Sequence, residues 1–491
     1  MLGQKNNPEK MFVTVSLENM VPEDNFYRRL DNILDLRFLY KECERFYGKT
    51  GNPSIDPVVF FKSLIYGYFE NIISDRELIR TLNDSLSGRY FLRYDLDEKL
   101  PTHSSISRTR KLLGEELFEG IFTRVVEMCV KSGMVSGTHQ SIDSTLVKAN
   151  ASMENLVRKE PQLEVMSYIK KSREENEGTE NPPKSNLQIA PKEKNETKTR
   201  KNKNKIYTNT TDPDSRIASK PHTLTDMYYK TQISVDSQKN IITEVNTYRA
   251  DDQDVELLID TVDRTVERLE SMGKKVNSIG ADKGYVSGEN LKELERREIT
   301  SYMPIKHTAN KTGLYEQSEF KYDEISDCYI CPNGKRLEFT SIDKQKKVKV
   351  YLGKKKRCAE CPLRSKCTTS KGSRKVTLHM DWKEYGRLDV RMQSSQGRKA
   401  MRTRKTGPEP VFGDGKEHHG LRKFMTRGLD KAKKNSYIIA TVINLKKLMK
   451  YCDKRKKEMA LPITNEINAL LSSINNILAN MASLEVMGLK Y

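Results

Sequence analysis

The sequence predicts an α/β protein: a mixed sheet flanked by helices, with an all-α N-terminal domain and a small cysteine-rich insertion. Three observations lead to this fold class. Apolar residues recur at helical spacing up to about residue 130, strand and helix patterns alternate after residue 131, and two Cys-x2-Cys pairs lie within residues 323–374. At 491 residues the chain is too long for one compact core, so several structural units are expected.

Residues 1–130 are predicted to be helical. Asp56 and Pro57 form a strong helix start, and Ser74 and Glu77 have capping-box spacing at the start of a second helix. A third helix, THSSISRTRKLLG, exposes basic side chains at its end. Three short helices with a basic last member are typical either of a helix-turn-helix reader of DNA or of an ordinary helical bundle. Both interpretations remain open at this point.

Residues 131–322 alternate between strands and helices. A first strand, Ser141–Lys148, precedes the hairpin Tyr229–Asp236 and Ile241–Arg249. An apolar stripe from Val255 to Leu269 predicts a helix; a fourth strand ends at Asp282, a helix follows, and a fifth strand lies near residues 299–305. Three strands, helix, strand, helix, strand is the ribonuclease H-like order. Two acidic residues lie on or just after strands of this sheet.

The remaining segments are assigned from their composition. A polar insertion at about residues 155–222 has too few apolar residues to offset the entropy of ordering, so we predict that it is disordered. Residues 375–455 are predicted to complete the core, and residues 456–491 to form a C-terminal helical tail.

The charge balance favours a polyanionic partner. The chain has 87 Lys and Arg against 67 Asp and Glu, a formal net charge of +20. No apolar run is long enough to span a membrane, and the N-terminus does not resemble a cleaved leader. We therefore expect an intracellular protein, in which the eight cysteines favour metal binding over a disulfide framework.

Three acidic residues are candidate ligands for a hard divalent cation. They are Asp143 in SIDSTLVKA, Asp282 in IGADKGY and Glu409 in PEPVFGDGKEHHG. Carboxylate oxygens suit Mg²⁺, and a pair of such ions can stabilise both the attacking and the leaving oxygen of a phosphodiester. Taken singly, Asp143 could be a strand residue facing water and Asp282 could cap a turn. Together, on strands of this topology, they favour a metal site.

The cysteine spacing predicts a zinc ribbon. Cys328 and Cys331 form one pair and Cys358 and Cys361 the other, with Cys367 as a substitute ligand. The alternative is a loop with reduced cysteines and no metal.

Most of the chain resembles the DDE transposases of bacterial insertion sequences. The resemblance rests on THSSISRTR, IDSTLVKAN, IGADKGY, the cysteine cluster and EPVFGDGKEHHGLRKFMTRGLDKAKK. It implies that Asp143, Asp282 and Glu409 hold Mg²⁺ or Mn²⁺ during cleavage at transposon ends and transfer of the cut strand into target DNA. Arg404 and Lys416 match the Arg and Lys of the family's Tyr, Arg, Glu, Lys signature.

The resemblance also implies partners. Arg404 and Lys416, together with Arg108, Arg110 and Arg422, are expected to contact duplex DNA, both transposon ends and target. On DNA the chain is expected to be a homodimer or larger, in the bacterial cytoplasm at the nucleoid.

Two departures from the family pattern stand near the third acid. Met401 replaces the Tyr of the signature, and Gly407-Pro408 directly precedes Glu409, so a helix there would begin almost at the acid. These departures support an alternative function, a transposase-derived DNA-binding protein without catalytic activity. A metal-dependent nuclease that cannot join strands would need the same residues.

Overall fold

A computed structural model describes residues 16–48, 50, 54–159, 200–220, 224–305 and 313–455 of the chain. No helix in these ranges is long and apolar enough to cross a membrane. The predicted C-terminal tail, residues 456–491, lies outside them.

The N-terminal part is built of short helices. Asp56 accepts hydrogen bonds from the backbone N–H groups of Val58 and Val59, and Pro57 occupies the first helical position, as the sequence indicates. The helices are α1 (Leu17–Met20), α2 (Phe26–Ile33), α3 (Phe38–Cys43), α4 (Pro57–Phe69), α5 (Asp75–Asp84), α6 (Leu86–Leu92), α7 (His103–Leu112) and α8 (Glu115–Lys131).

The central part forms a six-stranded mixed sheet. Its elements and their connections are β1 (His139–Lys148), β2 (Leu156–Arg158), α9 (Arg200–Ile206), β3 (Tyr207–Asn209), β4 (Arg216–Ala218), β5 (Asp226–Asp236), β6 (Ile242–Arg249), α10 (Asp254–Glu270), β7 (Ser278–Gly280), α11 (Gly288–Arg296) and β8 (Thr300–Tyr302). β6 pairs with β5, β5 with β1, β1 with β7 and β7 with β8. β1 is antiparallel to β5 but parallel to β7. This strand order confirms the predicted ribonuclease H-like fold class.

The predicted disorder does not extend to residues 155–159, where β2 pairs with β3, or to residues 200–220. α9 and β3 follow one another there, and β4 pairs with β5 at the edge of the main sheet. Asn204 is buried and fastens α9 to β4, because its amide donates to the carbonyl of Ile217 and accepts from its N–H. Residues 160–199 lie outside the described residues.

The cysteine-rich insertion is a separate five-stranded antiparallel sheet. Its elements are β9 (Lys321–Asp323), β10 (Cys328–Ile330), β11 (Arg336–Asp343), β12 (Val348–Gly353), α12 (Lys355–Ala359), α13 (Arg364–Cys367) and β13 (Lys375–His379). The strand order is β13-β12-β11-β10-β9. A small aromatic core, centred on Tyr329 and Tyr351, holds it together.

The chain then returns to the main sheet through α14 (Trp382–Gln393), α15 (Ser395–Thr406) and α16 (Pro408–His418). A last helix, α17, spans residues 429–455. One apolar cluster contains Phe60 and Phe118 of the N-terminal helices, Val235 of β5, and Tyr437 and Ile443 of α17. The N-terminal helices and this face of the sheet therefore share one core.

Candidate active site

The sheet topology brings Asp143 and Asp282 together. β1 and β7 are parallel neighbours, and their last paired residues are Ser141 and Gly280. Asp143 and Asp282 each lie two residues beyond that pair. Because side chains alternate along a strand, Asp143 and Asp282 occupy equivalent positions relative to this pair on the two neighbouring strands.

The two carboxylates share one cationic partner, Arg404 at the end of α15. Its Nη2 atom lies 3.3 Å from Oδ2 of Asp143 and 3.8 Å from Oδ2 of Asp282. The other oxygen of each carboxylate accepts a hydrogen bond from the next backbone N–H, that of Ser144 or Lys283, at 2.8 Å in both cases. The two acids thus have equivalent hydrogen-bond partners, and each points one oxygen at the same positive group.

Burial distinguishes the two acids. The Asp143 side chain is 19% exposed and that of Asp282 is 48% exposed. Burial raises the pKa of Asp143, while the N–H of Ser144 and the guanidinium of Arg404 oppose that rise. The positive charge of Arg404 therefore favours the ionised form of Asp143 in its buried position.

Helix α16 places Glu409 and Lys416 above β1. The seven-residue step between them is nearly two helical turns, so both project from one helix face. Lys416 Nζ donates to Oγ1 of Thr145 at 2.6 Å, and Thr145 lies on the same face of β1 as Asp143. Glu409 is exposed in the first turn of α16, and no basic side chain of the described ranges pairs with it.

The helix break before Glu409 is supported by specific contacts. α15 ends at Thr406 and α16 begins at Pro408, as the Gly407-Pro408 pair predicts. The amide of Asn240 donates to the carbonyl of Thr406 and so satisfies one of the groups left open at the end of α15. Gly407 is buried, and a Cβ there would lie 3.2 Å from the carbonyl oxygen of Thr403.

Two family models match the chain. The Transposase domain (DUF772) matches residues 15–112, and the Transposase DDE domain matches residues 330–449. The second match contains Arg404, Glu409 and Lys416, whereas Asp143 and Asp282 lie between the two matches. The chain belongs to the DDE transposases.

Comparison with curated proteins gives no match for this transposase. Among solved structures it is similar to the piggyBac transposase synaptic complex with hairpin DNA, at 11% identity and a TM-score of 0.35, over 87% of this chain and 74% of that one. It is also similar to the Mos1 strand transfer complex, at 10% identity and a TM-score of 0.15, over 56% of this chain and 65% of that one.

Two residues beside the acids have no sequence signal that singles them out. Lys220 donates to the carbonyl of Ser144 at 3.0 Å, and its charge opposes the raised pKa of Asp143. Asp254 accepts from Ser144 Oγ at 3.1 Å and from Lys230 Nζ at 2.9 Å. Lys220 lies near the end of the polar insertion and Asp254 lies at a helix start, so both resemble ordinary surface residues in the sequence.

The residues predicted to contact DNA are placed differently from one another. Arg108 is exposed on α7, and Arg422 is exposed but paired with Glu417. Arg110 is instead buried, and its guanidinium forms two hydrogen bonds with Asp75, at 2.8 and 2.7 Å. The prediction for Arg110 is corrected accordingly, because a buried, paired guanidinium is not presented to DNA.

The cysteines converge in a set that differs from the first predicted one. The four that line one small pocket of the insertion are Cys331, Cys358, Cys361 and Cys367. Cys328 is buried in β10, outside this pocket. In the described part of the chain, no group of three or more His, Cys, Asp or Glu side chains is arranged to hold a metal ion. This finding covers Asp143, Asp282 and Glu409 as well as the cysteines. The described residues therefore contain no preformed metal site that would support the zinc prediction.

The adjacent histidines at the C-terminal end of α16 face different environments. His418 is exposed, while His419 is buried, with Nδ1 2.9 Å from the carbonyl of Tyr68. Since the two rings diverge along the helix, they do not form one site. His419 instead helps to join α16 to the N-terminal helices.

Proposed function

We propose that this transposase cuts DNA at transposon ends and joins the freed strand to target DNA, with Asp143, Asp282 and Glu409 holding Mg²⁺ or Mn²⁺. The observation that carries the proposal is the matched position of Asp143 and Asp282 on adjacent parallel strands. Each has one oxygen directed at a shared positive charge. A divalent ion bound there would supply an activated water and neutralise charge on the phosphate.

The residues of the chain have distinct tasks in this reaction. Asp143 and Asp282 would provide carboxylate oxygens for the ion, and each carboxylate is held by a backbone N–H group. Lys416, fixed by Thr145, and Arg404 bring positive charge to the phosphate that is being cut. Glu409 lies in the first turn of α16 and would supply the third carboxylate.

The test compares substitutions that remove one charge each. Asp143→Asn, Asp282→Asn and Glu409→Gln should lower Mg²⁺-dependent cleavage of a duplex carrying the element's ends by at least 100-fold while leaving binding in EDTA unchanged. Glu417→Gln is the matched control for Glu409, since it makes the same change on α16 at a residue paired with Arg422. If either aspartate variant cuts at the parental rate, the assignment is wrong.

The same assay separates the alternative functions. A transposase-derived binding protein without activity would bind the duplex and never cut it. A nuclease would cut but leave no strand joined to a target plasmid. Light scattering with and without end DNA would show whether the chain assembles into the proposed homodimer or larger complex.

We also propose that the insertion binds structural Zn²⁺ through Cys331, Cys358, Cys361 and Cys367. The support is that these four thiols line one pocket, where the N–H of Lys335 points at Cys331 Sγ at 3.4 Å. Burial raises the pKa of the Cys367 thiol, the charge of Arg374 opposes that rise, and the other three thiols add to it by smaller amounts. A cation would offset this crowding of sulfur.

Elemental analysis tests the zinc proposal independently of DNA cleavage. Protein purified without chelator should contain about one zinc per chain. Cys367→Ser should lose it, whereas Cys328→Ser should keep it because that thiol lies outside the pocket. Absence of zinc from the parental protein would reject the proposal, and loss in both variants would reject this ligand set.

A further inference from the structure

A basic groove separates the N-terminal helices from the segment that follows α16. Its volume is about 640 Å³. One wall is formed by α5 and α7, and the other by residues 423–431 and the start of α17. The groove is open to solvent along its length and is distinct from the pair of acids on β1 and β7.

The groove concentrates positive charge that the described residues leave uncompensated. Within the described residues, none of its five outward-facing cations has a carboxylate within ion-pair distance; they are Arg76, Arg108, Lys423, Arg427 and Lys431. Asp75, the acidic residue of the lining, is engaged by Arg110. By contrast, Lys433 and Lys434 of α17 are paired with Glu115 and Asp430. Facing cations repel one another, so an anionic partner would stabilise this arrangement.

The other lining groups suit phosphate oxygens. Hydroxyl and amide donors lie between the cations, at Ser74, Ser104, Ser107, Asn150, Thr426 and Asn435. Single-strand binding sites depend on aromatic side chains on which bases stack. Among the described residues that line the groove, Tyr68 is the only Tyr or Trp. A lining with many hydrogen-bond donors and few aromatic side chains therefore favours the phosphate backbone of a duplex over unstacked bases.

The groove is fixed to the strand that carries Asp143. The N–H of Lys148 donates to the carbonyl of Arg422 at 3.1 Å, and the N–H of Phe424 donates to the carbonyl of Lys148 at 3.0 Å. Lys148 lies five residues after Asp143 on β1, a distance of roughly 16 Å along an extended strand. Lys416, bound to Thr145, provides positive charge between the two places.

We propose that this groove binds the phosphate backbone of duplex DNA about five base pairs from the bond that is cut. The spacing follows from roughly 16 Å of strand and a rise of about 3.4 Å per base pair. The inference rests on the proposed function, because it takes the acids of β1 and β7 as the place of cleavage. It gives α7 the role of a backbone clamp, in which Arg108 and the N-terminal residues of the helix face DNA across the groove from Arg427.

Salt-dependent binding in EDTA tests the groove without any need for cleavage. The probe is a 30-base-pair duplex of random sequence, with a single strand of the same length for comparison. Arg76→Ala/Arg427→Ala/Lys431→Ala should reduce the slope of log K against log salt concentration by roughly 3, since each phosphate contact contributes about 0.9. Affinity for the duplex near physiological salt should fall at least tenfold.

The control triple variant is Lys131→Ala/Lys275→Ala/Arg296→Ala. It removes the same charge from exposed residues of elements that do not line the groove. Its slope should match that of the parental protein. Equal slopes for all three proteins, or tighter binding of the single strand than of the duplex, would overturn the proposal.

A second measurement locates the contact and guards against misfolding. Ethylation interference on a cleavable end duplex should show phosphates about five base pairs from the cut that matter for the parental protein and for Asp143→Asn, but not for the single variant Arg427→Ala. Interference unchanged in Arg427→Ala would refute the groove. If Asp143→Asn loses cleavage but keeps this pattern, both the groove and the catalytic proposal are supported. If Asp143→Asn keeps both cleavage and the pattern, the catalytic proposal fails and the groove stands.

Discussion

Replacing Asp75 by alanine removes the carboxylate from a buried ion pair with Arg110. The Arg110 side chain is 6% exposed and that of Asp75 is 24% exposed. Burial on its own would lower the pKa of Arg110, but the hydrogen bonds and charge of Asp75 raise it above the usual value. After substitution the guanidinium stays charged, buried and without its partner.

The expected loss in the free energy of unfolding is about 3–5 kcal/mol, which is typical when one member of a buried ion pair is removed. The geometry agrees with this figure, because two charge-assisted hydrogen bonds contribute about 1.5–3 kcal/mol each. Asp75→Ala/Arg110→Met should recover most of the loss, since an apolar pair of similar volume is often neutral. Glu77→Ala, on the same helix and in an exposed pair with Arg80, should cost less than about 1 kcal/mol.

Urea denaturation followed by far-ultraviolet circular dichroism measures these differences. Fluorescence is less suitable, because the one tryptophan, Trp382, packs against the core of the cysteine-rich insertion. An Asp75→Ala variant as stable as Glu77→Ala would refute the reasoning. So would a double variant no more stable than Asp75→Ala alone.

Three further outcomes are expected. First, because burial raises the pKa of Asp143, the acidic limb of the pH–rate profile for Mg²⁺-dependent cleavage should lie at a higher pH than an ordinary aspartate would give. Arg404→Met should move this limb to a still higher pH, because it removes a charge that opposes the rise. A limb at the usual aspartate value would contradict this prediction. Second, Glu244→Gln should lower the free energy of unfolding by about 3–5 kcal/mol, because Glu244 is buried between Arg268 and Arg264, whereas exposed Glu267→Gln should have little effect in the same denaturation assay. Third, Gly413→Ala should stabilise α16 by up to about 1 kcal/mol, because beyond the nearby backbone of its own helix no described atom lies within 4 Å of the added methyl group. Gly407→Ala crowds Thr403 and should not be stabilising, so equal melting temperatures for the two variants would count against this account.

The sheet could be predicted from the sequence because its signals are local. Each strand has its own apolar pattern, and the order of strands and helices suffices to make β1 and β7 neighbours. Asp143 and Asp282 then converge by register alone. The start of α16 at Pro408 is also a local property, since proline fits the first helical position.

The errors concern contacts between residues far apart in the sequence. Arg110 has the pattern of an exposed helix residue, and only the packing of α5 against α7 gives it Asp75 as a partner. Residues 200–220 have a polar composition, and their order depends on the pairing of β4 with β5. Cysteine spacing does not distinguish Cys328 from Cys367, because the choice depends on which thiols border the pocket between β11, α12 and α13.

The shared core of the N-terminal helices and the sheet has a consequence for how this transposase is dissected. Phe60 and Phe118 pack in the same apolar cluster as Val235 and Tyr437, and Arg268 of α10 binds Glu119 of α8 at 2.8 Å. A fragment that ends near residue 130 would expose this apolar surface to water and is expected to aggregate. The two parts should therefore unfold in one cooperative thermal transition. DNA-binding measurements on fragments divided near residue 130 would then reflect their misfolding and not the DNA recognition of the intact chain.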